Sequence, residues 1–496
     1  MENKNINWDK ISNYIYYFFL IALLIWLICF RTELWLHKAT FFHDEAALLR
    51  NIQEKSFLDL FQTLDYVQCC PVFFLLINKI IYKIFGLNDV ILCFIPYIFG
   101  IFSIILIPFI SNKIFPSKAF SFLFLILFAY HPHLAIASQT FTQYSTDIFC
   151  SLLLIYLFIS FKDKIKTKKH FLYTGFIFGL FCFFSFTSQF IIFPIFLYYL
   201  FKLIKKRNIQ SVIAMTIPYF IILGLEYLLL AGTYRTEMSS DWSTMLPIYS
   251  SFQDFYTTIS LFISHLGNIH LIFAFLILGL IYLLIKEKIL AYILFTPILL
   301  NIIAQILNIY PCPSTDNNRV ILYMAPLLMI AGMKTFELMH NLFKTKTMKI
   351  LTNVVLIIIS IFLLHFIIKI HFLQNKIYIK DKYYYFILTN VKEYVSHLNT
   401  RGVKTNDIIV VDKMGHVSFD LYSNNKYKNN TIYLFNDLTT LTEIEIGKNI
   451  WLYNTKYICC SDEWMNGIKN WINENCEIII QEKDDMGELF YVKKIK

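Results

Sequence analysis

The sequence predicts a polytopic α-helical membrane protein, with outer-face juxtamembrane helices and a small C-terminal α/β domain. Three observations predict it. Of the 496 residues, 57% are hydrophobic and only 16% are charged, against about a quarter charged in soluble domains. Apolar stretches of roughly 17–25 residues recur as far as residue 371, each long enough to cross a bilayer. After about residue 378 the chain turns polar, and helix-like and strand-like patterns alternate.

Charge placement orders the apolar stretches. Lys and Arg gather on the cytoplasmic side of membrane proteins. The first stretch, about 12–30, follows Lys4 and Lys10 and so starts inside. It is too long for a cleavable signal peptide and has no small-residue cleavage site after it, so it reads as a retained signal anchor. The next apolar piece, Pro71 to Phe85, is short and holds Asn78, Lys79 and Lys83, which suits a helix lying in the outer interface. Further spans are expected at about 89–111, 119–137, 145–161, 171–187, 189–204, 210–231, 263–285, 289–308, 320–340 and 350–371. They are uninterrupted in appearance. With this count of about 11, the basic clusters at Lys113 and Lys118, Lys162 to Lys169, Lys205 to Arg207, Lys286 and Lys288, and Lys344 to Lys349 all fall inside. Counting Pro71–Phe85 as a span would put them outside. The expected topology is therefore N-in and C-out, in the cell (inner) membrane.

The expected domains are a transmembrane part, 1–378, with a first outer loop at 31–88, and an extracytoplasmic α/β domain, 379–496. In the latter, residues 383–398 and 464–475 read as helices. Ile408–Asp412, Thr431–Phe435, Asn449–Tyr453, Glu477–Ile480 and Glu488–Val492 read as strands, and the interleaving suggests an α/β fold. The net charge of +10 lies in short loops, where it sets topology, so no nucleic-acid partner is inferred. The 50 Phe and 32 Tyr fit lipid-facing surfaces and interfacial belts, and fit an AT-rich genome equally well.

Within this greasy chain the stretch from Phe41 to Gln62 is polar and carries adjacent acids, Asp44 and Glu45. The assumed topology puts Asp44, Glu45, Gln143, Tyr144, Asp147, Arg319 and the C-terminal domain on one face. Each has an ordinary role beside a functional one. Asp44 also suits a helix N-cap before Ala-Ala-Leu-Leu, and Glu45 a solvated or salt-bridged acid. Arg319, Gln143 and Tyr144 also suit interfacial anchoring, and Asp147 a helix-dipole partner at the mouth of a span. His131 and His133 flank Pro132, which fits an interfacial turn better than a metal site. Cys29, Cys93, Cys150 and Cys182 read as small apolar residues in spans. Cys69, Cys70, Cys312, Cys459, Cys460 and Cys476 would face an oxidising exterior, with a connectivity that sequence does not give.

Four pieces, in order, carry a resemblance. They are HDEAALLRNI at His43–Ile52, Gln68-Cys69-Cys70-Pro71 leading into a helix ending Phe85-Gly86, SQTFTQYSTDIF at Ser138–Phe149, and Tyr310-Pro311 followed by Arg319 and Pro326. On these the chain resembles the glycosyltransferase C superfamily, in the branch of dolichyl-phosphate-mannose–protein mannosyltransferases and the aminoarabinose lipid A transferase. Thr140 stands where many relatives have Glu, so a second acid in the third piece is Asp147 or absent. The resemblance implies transfer of a sugar from a polyprenyl-phosphate carrier to an acceptor hydroxyl on the outer face, with inversion. It implies Asp44 as general base with Glu45 as its helper, Arg319 and then Lys79 as cations for the leaving phosphate, and Gln143, Tyr144 and Asp147 lining the substrate. The partners are membrane lipids, the polyprenyl-phosphate sugar and an acceptor glycan, lipid or protein. No Asp-x-Asp pair occupies the first loop, so no metal and no cofactor is expected. The competing reading is a transporter or lipid flippase without glycosyl transfer. A third is a silent relative whose outer domain binds an envelope polymer.

Overall fold

The computed structural model describes residues 8–36, 41, 43–66, 68–240, 269–307, 310, 318–342, 345–373, 391–412, 416–434, 439–455, 462–483 and 487–496. These form two compact units. The first comprises Met1–Leu36, Ser56–Gly86 and Val90–Phe372. The second comprises His37–Lys55, Leu87–Asp89 and Leu373–Lys496.

In chain order the first helices are α1 (Trp8–Leu36), α2 (His43–Glu54), α3 (Val72–Phe85), α4 (Asp89–Leu92), α5 (Phe94–Ile114), α6 (Ala119–Ala129), α7 (Pro132–Ala137) and α8 (Tyr144–Phe161). There follow α9 (Lys168–Phe184), α10 (Ser188–Lys205), α11 (Ile209–Ser240), α12 (Ile269–Lys286), α13 (Lys288–Ile306), α14 (Ala325–Leu342) and α15 (Lys346–Leu373). Among the described residues, 8 helices are long and apolar enough to cross a membrane, and two shorter apolar ones lie at Ala119–Ala129 and Ala274–Lys286. Every stretch expected to span has a helical counterpart. The chain is an integral multi-pass membrane protein.

Three of those stretches are not the uninterrupted helices the sequence suggested. The stretch 89–111 divides at Cys93 into α4 and α5. The stretch 119–137 divides into α6 and α7, because Pro132 has no N–H to continue the ladder and His131 before it is extended, with φ −61° and ψ 121°. The stretch 320–340 begins as a 3-10 turn, Asn318–Met324, before α14. Prolines within α5, α10, α11 and α13 leave those helices unbroken, as neighbouring helices in lipid allow.

Small residues set the closest helix approaches. A Cβ on Gly279 of α12 would collide with the Ala331 carbonyl of α14, and one on Gly175 of α9 with the Met215 carbonyl of α11. A buried ion network ties α14 to α5, to α12 and to Glu287 at the start of α13. Lys334 of α14 is fully buried, and its Nζ donates to Ile114 O at 3.0 Å, Glu287 Oε1 at 2.5 Å and Glu337 Oε2 at 2.7 Å. Tyr282 Oη donates in turn to Glu337 Oε1 at 3.0 Å. A cation at such depth needs these partners, since an unpaired one is expensive.

α3 begins after Pro71 and ends at Gly86, whose φ of 67° is the left-handed region open to glycine. Its 14 residues rise only about 21 Å, too little to span. Phe73 packs its ring on Phe183 and Phe184 at the end of α9, with centroids at 5.4 and 4.7 Å.

The second unit holds α2, α16 (Val391–Arg401), β1 (Ile408–Asp412), α17 (His416–Ser423), β2 (Thr431–Leu434), α18 (Thr439–Thr442), β3 (Asn449–Thr455), α19 (Asp462–Asn475), β4 (Cys476–Lys483) and β5 (Gly487–Lys494). The sheet order is β2-β1-β3-β5-β4. β1 lies parallel to β2 and β3, while β5 lies antiparallel to β3 and β4. Alternation along β3 makes two cores. Ile450 and Leu452 join Val410, Phe490, Ile468 and Ile472 on one face, and Trp451 and Tyr453 join Val411, Leu489, Tyr394 and Phe419 on the other. α19 covers the first face; α16 and α17 cover the second. The expected helix at 383–398 is described only from 391.

Candidate functional site

In the first unit, polar side chains from several elements meet at the end of the bundle where α8 and α10 begin. Asp147, in the first turn of α8, is only 5% exposed. The hydroxyls of Ser185 and Thr187, from the tight connector between α9 and α10, lie beside it. Among the described residues its Oδ1 accepts no hydrogen bond. A buried carboxylate oxygen left so is costly, and membrane proteins keep such groups for function. Three residues earlier, Tyr144 carries the Arg319 guanidinium over its ring, 5.8 Å from the centroid. Gln143 receives the Cys70 thiol on Oε1 at 3.6 Å and donates from Nε2 to Cys69 O at 3.5 Å.

An aromatic wall flanks this cluster. Tyr310 donates to Val320 O at 2.7 Å. Phe190 sits edge-on to Tyr310 at 5.3 Å and stacks on Tyr323 at 5.9 Å. Burial above all, then Tyr323 and the charge on Asp147, push the Tyr310 hydroxyl well above its usual range, so it stays a donor. Arg319, about 175 residues further along the chain, is therefore brought to the Gln143–Tyr144–Asp147 turn. Lys79 lies on α3, 4% exposed, its pKa lowered by burial and by Lys83 and raised in part by Asp59.

Asp44 and Glu45 lie in the second unit, in the first turn of α2. Asp44 is half-buried and Glu45 is 2% exposed. The helix starts at His43, so Asp44 is not its N-cap; inside the first turn it still suits the positive end of the helix dipole.

Several residues were missed in the sequence. Arg31 ends an apolar run and reads as the start of a loop, yet it lies inside α1, 2% exposed, donating from Nη1 to Leu134 O at 2.9 Å and to Ser138 Oγ at 3.0 Å. It pins the turn that opens the Ser138–Phe149 motif. Ser185, Thr187 and Tyr323 carried no spacing signal at all, because they become neighbours only through packing. His131 and His133 have their rings 5.8 Å apart at the α6–α7 break, and no third candidate ligand joins them among the described residues. Cys312, Cys459 and Cys460 lie outside the described residues.

Residues 70–228 match the family model described as dolichyl-phosphate-mannose-protein mannosyltransferase. With the fold, that match bears out the resemblance to the glycosyltransferase C superfamily. The chain is similar to ArnT from Cupriavidus metallidurans. Against its apo crystal structure the TM-score is 0.51 at 8% identity, covering 97% of this chain and 98% of that one. Against the structure bound to undecaprenyl phosphate it is 0.51 at 9% identity, covering 95% and 98%. At these identities the likeness is one of fold. No curated protein matches the chain.

Proposed function

We propose that the chain transfers a sugar from a polyprenyl-phosphate-linked donor to an acceptor hydroxyl, at the extracytoplasmic face of the cell (inner) membrane, by a single inverting displacement. The observation that carries this is the Gln143–Tyr144–Asp147–Arg319 cluster at one end of the bundle, within the stretch of chain that matches the mannosyltransferase family or next to it in space. A similar fold binds undecaprenyl phosphate. Residues 1–378, with the outer loop 31–88, form the transmembrane catalytic part in this reading, and 379–496 the extracytoplasmic domain.

The roles follow from the chemistry. As the acceptor oxygen attacks the anomeric carbon, Asp44 takes its proton; general-base help of this kind is worth roughly 10²–10⁴ in rate. The bond between that carbon and the phosphate oxygen breaks, and polyprenyl phosphate leaves with the bonding electrons and one added negative charge. Arg319, whose planar fork suits phosphate oxygens, stabilises that charge, and Lys79 is the second cation. Phosphate beside Lys79 would repair the loss of solvation that now lowers its pKa. Glu45 supports Asp44, while Gln143, Tyr144 and Asp147 line the substrate. No metal and no cofactor enters the scheme. A transporter reading is not favoured, because the family match is to enzymes of sugar transfer.

The test is mass spectrometry of envelope glycolipids, glycans and glycoproteins in a deletion strain. Wild type restores a missing sugar; Asp44→Asn, present in the membrane at wild-type level, leaves it missing. Full restoration by Asp44→Asn would end the role of Asp44 as base.

A further inference from the structure

Within the second unit, α2 is fastened to α17, about 375 residues further along the chain. The Phe41 N–H donates to Tyr422 Oη at 2.8 Å, and Ser418 Oγ donates to Phe41 O at 3.0 Å. Both backbone groups of the residue three positions before Asp44 are thus held by side chains of one short helix. The Phe41 and Tyr422 rings lie nearly parallel, 12° apart, with centroids at 6.4 Å. Tyr422 Oη also donates to Asp89 Oδ1 at 3.0 Å, and Lys392 pairs with Asp89 at 2.6 Å. Six residues after Asp44, Arg50 pairs with Glu54 at 2.5 Å and with Asp420 at 3.5 Å, and donates to Asn425 Oδ1 at 3.3 Å. Asp420 in turn accepts from Tyr433 Oη at 2.6 Å. Between the two fastenings, Ala46, Ala47 and Leu49 are fully buried. The helix can neither slide nor rotate without breaking these bonds.

We propose that Tyr422 and Ser418 are positioning residues: the C-terminal unit sets the place of the Asp44 carboxylate through them, by fixing both backbone groups of Phe41. The proposal rests on the base role of Asp44. Burial first, then the charge on Asp89, keep the Tyr422 hydroxyl protonated and hence a donor. A displacement of about 1 Å at a reacting group costs on the order of 10²-fold in rate, so the loss of one fastening should be visible in turnover.

The test uses the full chain in membranes of the deletion strain, with Tyr422→Phe, Ser418→Ala, Ser418→Thr, Asp44→Asn and the double variant Asp44→Asn/Tyr422→Phe. Hydrogen exchange by mass spectrometry reads the backbone, and the amount of envelope sugar restored per unit of enzyme reads turnover. In Tyr422→Phe, exchange across residues 41–54 rises by about tenfold or more while strands β1, β3 and β5 keep wild-type protection, and restored sugar falls about tenfold. Ser418→Ala behaves likewise and Ser418→Thr retains function. The double variant restores no less than Asp44→Asn alone, because the two act through one group. Wild-type exchange and wild-type sugar in Tyr422→Phe would overturn the proposal, as would a rise in exchange spread evenly over the sheet. If Asp44→Asn restores the sugar, the base role fails, and exchange at 41–54 still decides whether the fastening exists.

Discussion

A single guanidinium carries much of the proposed chemistry. Arg319 lies in the 3-10 turn Asn318–Met324, with its guanidinium over the Tyr144 ring. Lys keeps the charge but offers one point of contact in place of two. Arg319→Lys is expected to lower sugar transfer about tenfold, and Arg319→Gln about 10²-fold or more, read as product formed in isolated membranes; equal activity in all three would remove Arg319 from the phosphate. A second residue makes a prediction about pH. Burial pushes the Cys476 thiol up to about 11, against the pull of Lys494. A raised thiol pKa means that the reactive thiolate is scarce at neutral pH. Iodoacetamide labelling of Cys476 should therefore rise about tenfold per pH unit from 8 to 10, while a thiol near its ordinary value levels off.

At the scale of elements, a glycine decides how closely two helices meet. Gly279 leaves no room for a side chain against the Ala331 carbonyl, whereas a Cβ on Gly224 of α11 would meet nothing within 4 Å. Gly279→Leu must push α12 from α14, at a cost of roughly 1–3 kcal/mol, and should lower the melting temperature in detergent. Gly224→Leu is the control and should leave it unchanged. Equal melting would mean that the helices do not approach so closely. α6 and α7 teach a related lesson. Their combined stretch is apolar enough to read as one span, and hydropathy is blind to the ladder that Pro132 interrupts. The proline was visible; its effect needed the backbone around it.

At the scale of the molecule, the topology is the claim most open to test. The in-plane reading of α3 decides on which side every basic cluster lies. A cysteine placed at Lys83, exposed in the structure, should react with an impermeant maleimide added from outside intact cells. Labelling only after permeabilisation would reverse the assigned sides. The two units also differ in how readable they were. The strands of the second unit coincide with alternating or β-branched runs at Ile408–Asp412 and Asn449–Thr455, because period two is a local signal. The placing of α2 within that unit was not readable, since its partners on α17 lie hundreds of residues away and carry no local mark.

By itself, the sequence determined that the chain crosses a membrane many times, where the helices lie, and which acids and cations stand out from the lipid. Those are properties of short windows: the transfer energy of about twenty residues and the period of one element. Only the tertiary structure decided that Asp147 is buried beside Ser185 and Thr187, that Arg319 lies over Tyr144, that Arg31 and Lys334 are interior cations, and that Phe41 is fastened to Tyr422. Each of these depends on side chains brought together by packing across long sequence separations. The cost of burying charge without a partner then selects the arrangement that gives Lys334 its carboxylates.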